Sequence, residues 1–217
     1  MAAPVPPAPP ELPERLVTEL PGDGDPDELV VCEALVERCE DALTARRVRV
    51  DESALHGVTL AAGTLTELVL RDARLTGCDL SNVTARRGEI RRAELTNVRL
   101  VGFALGEGAI EDLRVSGGTM MLASLAQTTL RRVVFSDVNL REASFAHARL
   151  VSVTFEDCDL RGADFRGVSL VDCSMRGTSL DGIVGVESLR GLTMPWTDLV
   201  GSVGALAASL GISVESD

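Results

Sequence analysis

The chain has 217 residues, of which 21 are basic and 33 acidic, so its formal net charge is −12. It contains no run of 18 apolar residues, which argues against a membrane-spanning helix, and its start has neither the basic segment nor the apolar core of a secretory signal. A cytoplasmic protein is therefore expected. Direct nucleic-acid binding is disfavoured, because the repeats described below carry no net positive stripe.

Residues 1–27 are predicted to form a disordered, Pro-rich, acidic tail. They hold eight of the nine prolines, and a proline cannot donate a backbone hydrogen bond to a sheet. The spacing of Pro4, Pro7, Pro10 and Pro13 also fits a polyproline-II ligand of a proline-binding module. Between these two interpretations, an inert tail is favoured.

Residues 28–50 are predicted to be either an irregular first coil or an N-terminal cap. Val48 and Val50 fit the repeat that follows them in the chain. Further upstream, the same repeat would turn Arg38 inward, which an apolar core does not tolerate cheaply. The alternative is a short amphipathic helix over residues 27–43. In either case something must cover this end, because an open sheet edge promotes aggregation.

A five-residue repeat organises the chain from Leu55 to Leu180. Every fifth residue is large and apolar, and Ala85 is the one exception among 26 such positions. A second set of mostly small residues, such as Ala163 and Val168, lies two positions before each large residue. The two members of a pair point the same way, as in a short strand, and the residues between pairs turn a corner.

Two blocks carry a clear resemblance to a known family. Residues 158–162 read Cys-Asp-Leu-Arg-Gly and residues 163–167 read Ala-Asp-Phe-Arg-Gly, and both resemble the signature of pentapeptide-repeat proteins. The resemblance covers about 130 residues and implies an all-β fold, a right-handed four-sided β-helix over residues 51–184 with 20 residues per coil. Six to seven coils at ~4.8 Å per strand would form a rod roughly 30 Å long.

Residues 20 apart should then lie directly above one another. Phe135 should stack on Phe155, and Phe145 on Phe165. Outward-facing charges should form three ladders of solvated salt bridges. The members of these ladders are Asp72, Arg92, Asp112 and Arg132; Arg74, Glu94 and Arg114; and Arg71, Arg91, Glu111 and Arg131.

Departures from the repeat cluster in its middle. Glycines occupy small-residue positions at Gly88, Gly108 and Gly118, while Phe103 and Leu113 are oversized for theirs. Local repacking, with Phe103 filling space near a glycine, is favoured. A bulge at residues 117–118 that meets a partner is the alternative.

The five cysteines predict neither disulfides nor a metal site. Cys78, Cys158 and Cys173 occupy inward positions too far apart to be bridged, and the spacing of Cys32 and Cys39 fits no zinc pattern. Reduced cysteines are expected. Residues 23–34 resemble the start of a calcium loop but have Glu and Ala where such a loop needs Gly and Glu, so a solvated acidic linker is favoured.

Residues 185–217 are predicted to form a C-terminal helical cap and tail, with a short helical turn near residues 186–190. The apolar residues expected to cover the last coil, or to pair two rods as C-terminal segments do in some members of the family, are Trp196, Leu199, Val203, Leu206 and Leu210. Cap alone and cap plus homodimer remain open.

No catalytic, cofactor or metal site is predicted. His56 and His147 lie at outward positions with no Ser or Cys nucleophile aligned to either, and a rod without long loops offers no cleft. A non-enzymatic protein-interaction or scaffold module with a protein partner is expected.

The alternative comes from the family resemblance, because some pentapeptide-repeat proteins mimic DNA and bind DNA gyrase, which confers quinolone resistance. The charge distribution weakens this alternative. Residues 51–185 hold 18 acids and 15 arginines, far below the charge density of duplex DNA. The acids that could still form a local partner surface are Glu156, Asp157, Asp159 and Asp164.

Overall fold

The computed structural model describes residues 3–14, 16, 27–37, 45–60, 62–209 and 211–212. The strands are β1 (Glu28–Cys32), β2 (Leu35–Glu37), β3 (Arg47–His56), β4 (Gly63–Leu65), β5 (Glu67–Thr76), β6 (Val83–Arg99), β7 (Ala104–Thr119), β8 (Thr129–Ser136), β9 (Arg149–Glu156), β10 (Ser169–Val171) and β11 (Ser174–Arg176). A 3₁₀ turn (Val186–Ser188) and two helices, α1 (Trp196–Gly201) and α2 (Val203–Ser209), follow.

The strands stack as a parallel solenoid with 20 residues per coil. Leu75 pairs with Leu95 and Phe135 with Phe155 in register. Eight strands follow one another in the order β1-β3-β5-β6-β7-β8-β9-β10. The predicted β-helix is confirmed, and its coil length follows from four five-residue blocks per turn.

The core is a single column of apolar side chains along the solenoid axis. Phe135 and Phe155 stack with ring centroids 5.2 Å apart, and Phe145 and Phe165 stack at 5.0 Å. All four rings are buried. Both predicted ladders are confirmed, and rings of neighbouring ladders also meet edge to face, for example Phe145 with Phe155 at 5.6 Å.

The corners of the coil adopt a left-handed backbone. The second residue after a large apolar residue often has positive φ, as at Asn82 (56°) and Gln127 (61°). One set of these residues, spaced by 20, forms the corner column, which consists of Glu52, Asp72, Arg92, Asp112, Arg132, Ser152 and Asp172. Left-handed residues are costly unless they are Gly, Asn or Asp, and many corner positions carry one of these three.

Repacking in the middle of the repeat differs in detail from the prediction. A Cβ at Gly88 would overlap Cδ1 of Leu105, so Leu105, and not Phe103, occupies that space. A Cβ at Gly118 would overlap the carbonyl oxygen of Val98, and Gly118 has φ of +84°. The sheet nevertheless continues through β7 without interruption. Gly118 is required by the close approach of the neighbouring coil's backbone, whereas Gly88 leaves room for the side chain of Leu105.

The first coil is built from strands. β1 and β2 both pair with β3, with Glu28 opposite Arg47 and Leu35 opposite Ala54. The paired residues here are 19 positions apart in the sequence, one fewer than in the later coils. Alternate residues of β1 are buried, the pattern of a strand and not of the helical alternative. Residues 38–44 lie outside the described residues.

The N-terminal segment differs from the predicted disordered tail where it is described. The backbone N–H of Ala8 donates to Oδ1 of Asp112 at 3.0 Å, and that of Glu11 donates to Oδ1 of Asp72 at 2.9 Å. The physical reason is that both carboxylates are nearly buried and offer an acceptor at the solenoid surface. Residues 17–26, which include the first four residues of the calcium-like segment, lie outside the described residues.

None of the described cysteines forms a disulfide. Cys78, Cys158 and Cys173 are buried, and each sulfur lies within 3.5 Å of a carbonyl oxygen of the preceding coil. Burial raises the pKa of Cys158 to about 11. Cys32 is exposed, and Cys39 lies outside the described residues.

Candidate interaction surfaces

Ion pairs between successive coils neutralise much of the charge on the solenoid sides. Arg132 donates to Asp112 through Nε at 2.6 Å and to Glu111 through Nη2 at 2.6 Å. Arg92 donates two hydrogen bonds to Asp72, from Nε to Oδ1 and from Nη2 to Oδ2. Further pairs join Arg74 to Glu94, Arg91 to Glu111 and Arg71 to Glu89. The ladder through Asp72 and Arg132 forms as two ion pairs, Arg92 with Asp72 and Arg132 with Asp112, and the other two predicted ladders each form in part.

Asp72 and Asp112 of the corner column are held ionised. Asp72 and Asp112 each have a side chain only 8% exposed. The guanidinium of Arg92 lowers the pKa of Asp72, and that of Arg132 lowers the pKa of Asp112. A buried carboxylate retains its charge at low cost only when it is paired in this way.

The four acids of the predicted partner surface do not share one side of the solenoid. Asp159 stacks below Asn139, whereas Asp164 stacks between Ser144 and Val184. These are two different columns, because consecutive five-residue blocks occupy consecutive sides of the coil. The idea of a single acidic side is therefore wrong for this pair.

Both aspartates are also neutralised locally. Arg161 binds Asp159 at 2.5 Å, and Arg166 binds Asp164 at 2.6 Å. The Arg161 guanidinium lowers the pKa of Asp159 to about 2, and that of Arg166 lowers the pKa of Asp164.

Of the other two predicted acids, Glu156 is the last residue of β9 and Asp157 follows it. Among the described residues, neither forms an ion pair with an arginine. Asp157 is exposed, and Glu156 is half-buried, with Oε2 3.4 Å from the hydroxyl of Ser136. Together with Asp137, which lies one coil earlier and donates its backbone N–H to the carbonyl oxygen of Glu156 at 3.0 Å, they form a small acidic cluster at one corner.

Two polar contacts tie α1 to the last coil. The carboxylate of Asp198 accepts the backbone N–H of Gly177 at 2.7 Å, and the hydroxyl of Ser202 accepts that of Leu180 at 3.1 Å. These N–H groups lie at the C-terminal edge of the solenoid, where no further coil supplies acceptors. The sequence analysis did not predict a role for Asp198 or Ser202. The sequence feature that could have indicated one is the presence of these two polar residues in a C-terminal segment otherwise rich in apolar residues.

The C-terminal helices leave a groove over the last coil. Its volume is about 440 Å³, and it is lined by Leu180, Val186, Glu187, Leu189, Arg190, Leu192, Met194, Leu199, Leu206 and Ser209. Leu199 and Leu206 thus face the last coil, as predicted for a cap. The predicted single helix is instead two helices that separate at Ser202, whose hydroxyl also donates to the carbonyl oxygen of Asp198 at 2.9 Å.

Three other apolar residues of this region face away from the coil. Trp196 is 76% exposed, Val200 52% and Val203 54%; we call these three residues the C-terminal apolar surface. Of the two roles expected for Trp196 and Val203, covering the coil mouth does not fit their exposure, because α1 is anchored by Asp198 and turns Trp196 outward. The other role, pairing two rods, stays a prediction. Leu210 lies outside the described residues.

No helix in the described parts of the chain has the length and apolarity needed to cross a membrane. In the same residues, no cluster of three or more His, Cys, Asp or Glu side chains could hold a metal ion.

The fold and its surfaces define a class of protein: a parallel β-solenoid made of five-residue blocks, with paired charges on its sides and a helical C-terminal end. Two family models match the sequence, a pentapeptide repeat region over residues 115–184 and pentapeptide repeats (8 copies) over residues 55–87 and 65–102. Together they cover more than half of the chain. It belongs to the pentapeptide-repeat family.

Solved structures include similar proteins at low identity. HetL, a pentapeptide repeat protein involved in heterocyst differentiation regulation from the cyanobacterium Nostoc sp. strain PCC 7120, is 18% identical, with a TM-score of 0.37 over 78% of this chain and 87% of HetL. A trypsin-treated form of QnrB1, a plasmid-mediated fluoroquinolone resistance protein, is 14% identical, with a TM-score of 0.35 over 87% of this chain and 99% of QnrB1. No curated protein matches the chain.

Proposed function

We propose that this protein is a non-enzymatic, cytoplasmic interaction module that acts by binding another protein chain through the C-terminal apolar surface. The observation that carries the proposal is the exposure of Trp196, Val200 and Val203 on helices whose Leu199 and Leu206 line the groove over the last coil. Trp196 and Val200 lie four residues apart in α1 and so share one face. An exposed cluster of this kind, with a tryptophan in it, is typical of an interaction site.

The partner we propose is a second copy of the chain, in an end-to-end homodimer. Residues 51–185 carry 18 acids and 15 arginines, and many of these charges are already paired within the chain, so the solenoid sides offer a second copy no complementary charged surface. The C-terminal end offers an apolar surface instead, since residues 185–209 carry only Glu187, Asp198 and Arg190 as charged residues. A twofold contact at this end would bury the same apolar residues of both copies.

The mass of the protein in solution tests this proposal. Light scattering should give twice the chain mass of 23.0 kDa for the wild type, and about one chain mass for Val200→Glu and for Val203→Glu. Leu122→Glu is the matched control, because Leu122 is 54% exposed on the solenoid and its replacement should leave the dimer intact. A wild-type protein of one chain mass at every concentration would overturn the homodimer.

A second candidate is the gyrase-binding DNA mimic. The net charge of −12 and the acidic pair of Glu156 and exposed Asp157 favour it. It has less support than the first candidate, because Asp159 and Asp164 are each paired with an arginine.

Supercoiling of relaxed plasmid by DNA gyrase, with the full chain titrated in at two salt concentrations, separates the two candidates. DNA mimicry predicts inhibition that is relieved by salt and weakened by Glu156→Gln with Asp157→Asn. If folded protein does not inhibit gyrase, the DNA-mimic candidate is excluded, and the result does not affect the first candidate.

A further inference from the structure

The N-terminal segment repeats with the same spacing as the surface on which it lies. Along residues 4–13, prolines recur at Pro4, Pro7, Pro10 and Pro13, and all four are half-buried. The residues between them are mostly exposed. A period of three residues is that of a polyproline-II helix, so one edge of this helix is turned toward the solenoid.

The backbone donors of the segment follow the same period. Proline has no N–H, so between Pro4 and Glu11 the backbone N–H groups belong only to Val5, Ala8 and Glu11. The N–H of Ala8 donates to Asp112 at 3.0 Å, and that of Glu11 donates to Asp72 at 2.9 Å. Successive donors thus reach successive carboxylates of the corner column.

The two repeat lengths agree. Three residues of polyproline II rise by about 9.3 Å. Asp72 and Asp112 are 40 residues apart, which is two coils, or about 9.6 Å at the strand spacing. Because Arg92 separates Asp72 from Asp112 along the corner column, these two carboxylates have the spacing at which a polyproline-II segment presents successive N–H groups. Three residues before Ala8, the next backbone N–H of the segment belongs to Val5. Two coils beyond Asp112, the next corner-column residue is Ser152, which is also buried.

Each carboxylate is prepared for this contact in the same way. Oδ1 of Asp112 accepts from Nε of Arg132 at 2.6 Å as well as from the segment, and Oδ1 of Asp72 accepts from Nε of Arg92 at 2.6 Å. The arginines fix the carboxylates in place and keep them ionised, so the backbone N–H meets a rigid, charged acceptor. This arrangement recognises the spacing of the backbone N–H groups, while the half-buried prolines lie on the side of the segment that is turned toward the solenoid.

We propose that the corner column is a binding surface for polyproline-II segments with a backbone N–H at every third residue, and that residues 3–14 are its intramolecular ligand. The partner that fits is a proline-rich segment of another protein chain with the same spacing, which binds by displacing residues 3–14. The surface is separate from the C-terminal apolar surface, and its test does not depend on the homodimer.

Two full-chain variants are needed for the test. Ala8→Pro with Glu11→Pro removes both donated N–H groups while preserving the polyproline-II conformation, and it leaves the solenoid unchanged. Ala8→Ser with Glu11→Gln keeps both N–H groups and is the matched control. The probe is a fluorescent peptide with the sequence of residues 1–16.

The first measurement is amide hydrogen exchange in the wild-type chain. The amides of Ala8 and Glu11 should exchange at least about tenfold more slowly than in the free peptide, since each donates to a charged acceptor. Asp72→Ala with Asp112→Ala should abolish this protection. Asp79→Ala, which breaks the pair with Arg99 elsewhere on the solenoid, should leave it in place. Exchange at the free-peptide rate in the wild type would overturn the proposal.

The second measurement is binding of the peptide in trans. The double-proline variant should bind the peptide at least about tenfold more tightly than the wild type or the matched control, because the attached segment no longer competes at high effective concentration. A peptide in which residues 8 and 11 are also proline should not bind. Equal binding by the variant and the wild type, or binding of the proline-substituted peptide, would overturn the proposal.

Discussion

Arg132 and Asp112 lie one coil apart on the corner column and form a two-bond ion pair, with Nε 2.6 Å from Oδ1 and Nη2 2.8 Å from Oδ2. The carboxylate is 8% exposed, whereas the arginine side chain remains 32% exposed. The pair thus combines a nearly buried anion with a cation that reaches it from the surface. Its contribution to stability should therefore depend on both the arginine and the pH.

Arg132→Ala should lower the free energy of unfolding by about 2–4 kcal/mol at pH 7, because it leaves a nearly buried carboxylate without its cation. Arg132 depresses the pKa of Asp112 in the folded state, so the pair stabilises the fold fully above the unfolded value of about 4. This stabilisation is lost as the pH falls through the folded pKa. Urea unfolding at pH 7 and at about pH 3 measures this. The difference in free energy of unfolding between the wild type and Arg132→Ala should be smaller at about pH 3 than at pH 7.

Arg161→Ala is the control for Arg132→Ala. Arg161 is 63% exposed and binds an aspartate only two residues away, so its loss should cost less than about 1 kcal/mol. Equal losses for the two variants would contradict the distinction between a buried and an exposed pair.

The carboxyl of Asp159 should titrate with a pKa of about 2, because Arg161 donates two hydrogen bonds to it. Arg161→Gln should move that pKa up toward the ordinary value of about 4. Titration of carbon-labelled carboxyl groups by NMR measures both, and Asp164, which is bound to Arg166, should not change. An Asp159 pKa of about 4 in the wild type would show that the pair does not persist in solution.

Phe145→Ala should destabilise the solenoid by about 3–5 kcal/mol. Phe145 is fully buried, stacks on Phe165 and meets Phe135 and Phe155 edge to face. Phe145→Leu should cost less, because Leu125 already fills the equivalent position one coil earlier. Chemical unfolding of the two variants measures the difference, and a loss below about 1 kcal/mol for Phe145→Ala would contradict the packing described.

Much of this architecture was predictable from the sequence, because every five-residue block repeats the same physical rule. The position of Phe135 predicts the stack on Phe155, and the spacing of Asp112 and Arg132 predicts their pairing. The repeat does not predict the conformation of the segments before and after it. The outward turn of Trp196 depends on the contact of Asp198 with Gly177, and the docking of Ala8 on Asp112 joins residues 104 positions apart.

The prediction of one acidic surface fails for a related reason. Asp159 and Asp164 are close in sequence, but five residues rotate the chain to the next side of the coil. Their arginine partners lie only two residues further along. Counting by coil, and then checking each acid for a nearby arginine, would have predicted both the separation of the two acids and their neutralisation.

A pair of glycine substitutions should separate backbone strain from steric overlap. Gly77 has φ of +62° and no atom within 4 Å of the position that a Cβ would take, whereas a Cβ at Gly118 would overlap the carbonyl oxygen of Val98. Gly77→Ala should therefore cost about 1–2 kcal/mol, the penalty of a left-handed residue. Gly118→Ala should cost clearly more, because a neighbouring coil must move. Thermal or urea unfolding tests the order, and the reverse order would contradict the close approach of the coils.

Quenching of tryptophan fluorescence tests the proposed function most directly, since Trp196 is the single tryptophan of the chain and is 76% exposed. If the C-terminal apolar surface binds a second copy, acrylamide should quench Trp196 several-fold less well as the concentration rises from about 0.1 to 100 µM, a range that spans ordinary dimer affinities. Val200→Glu should remain fully quenched throughout. Quenching of the wild type that is strong and independent of concentration would contradict the account.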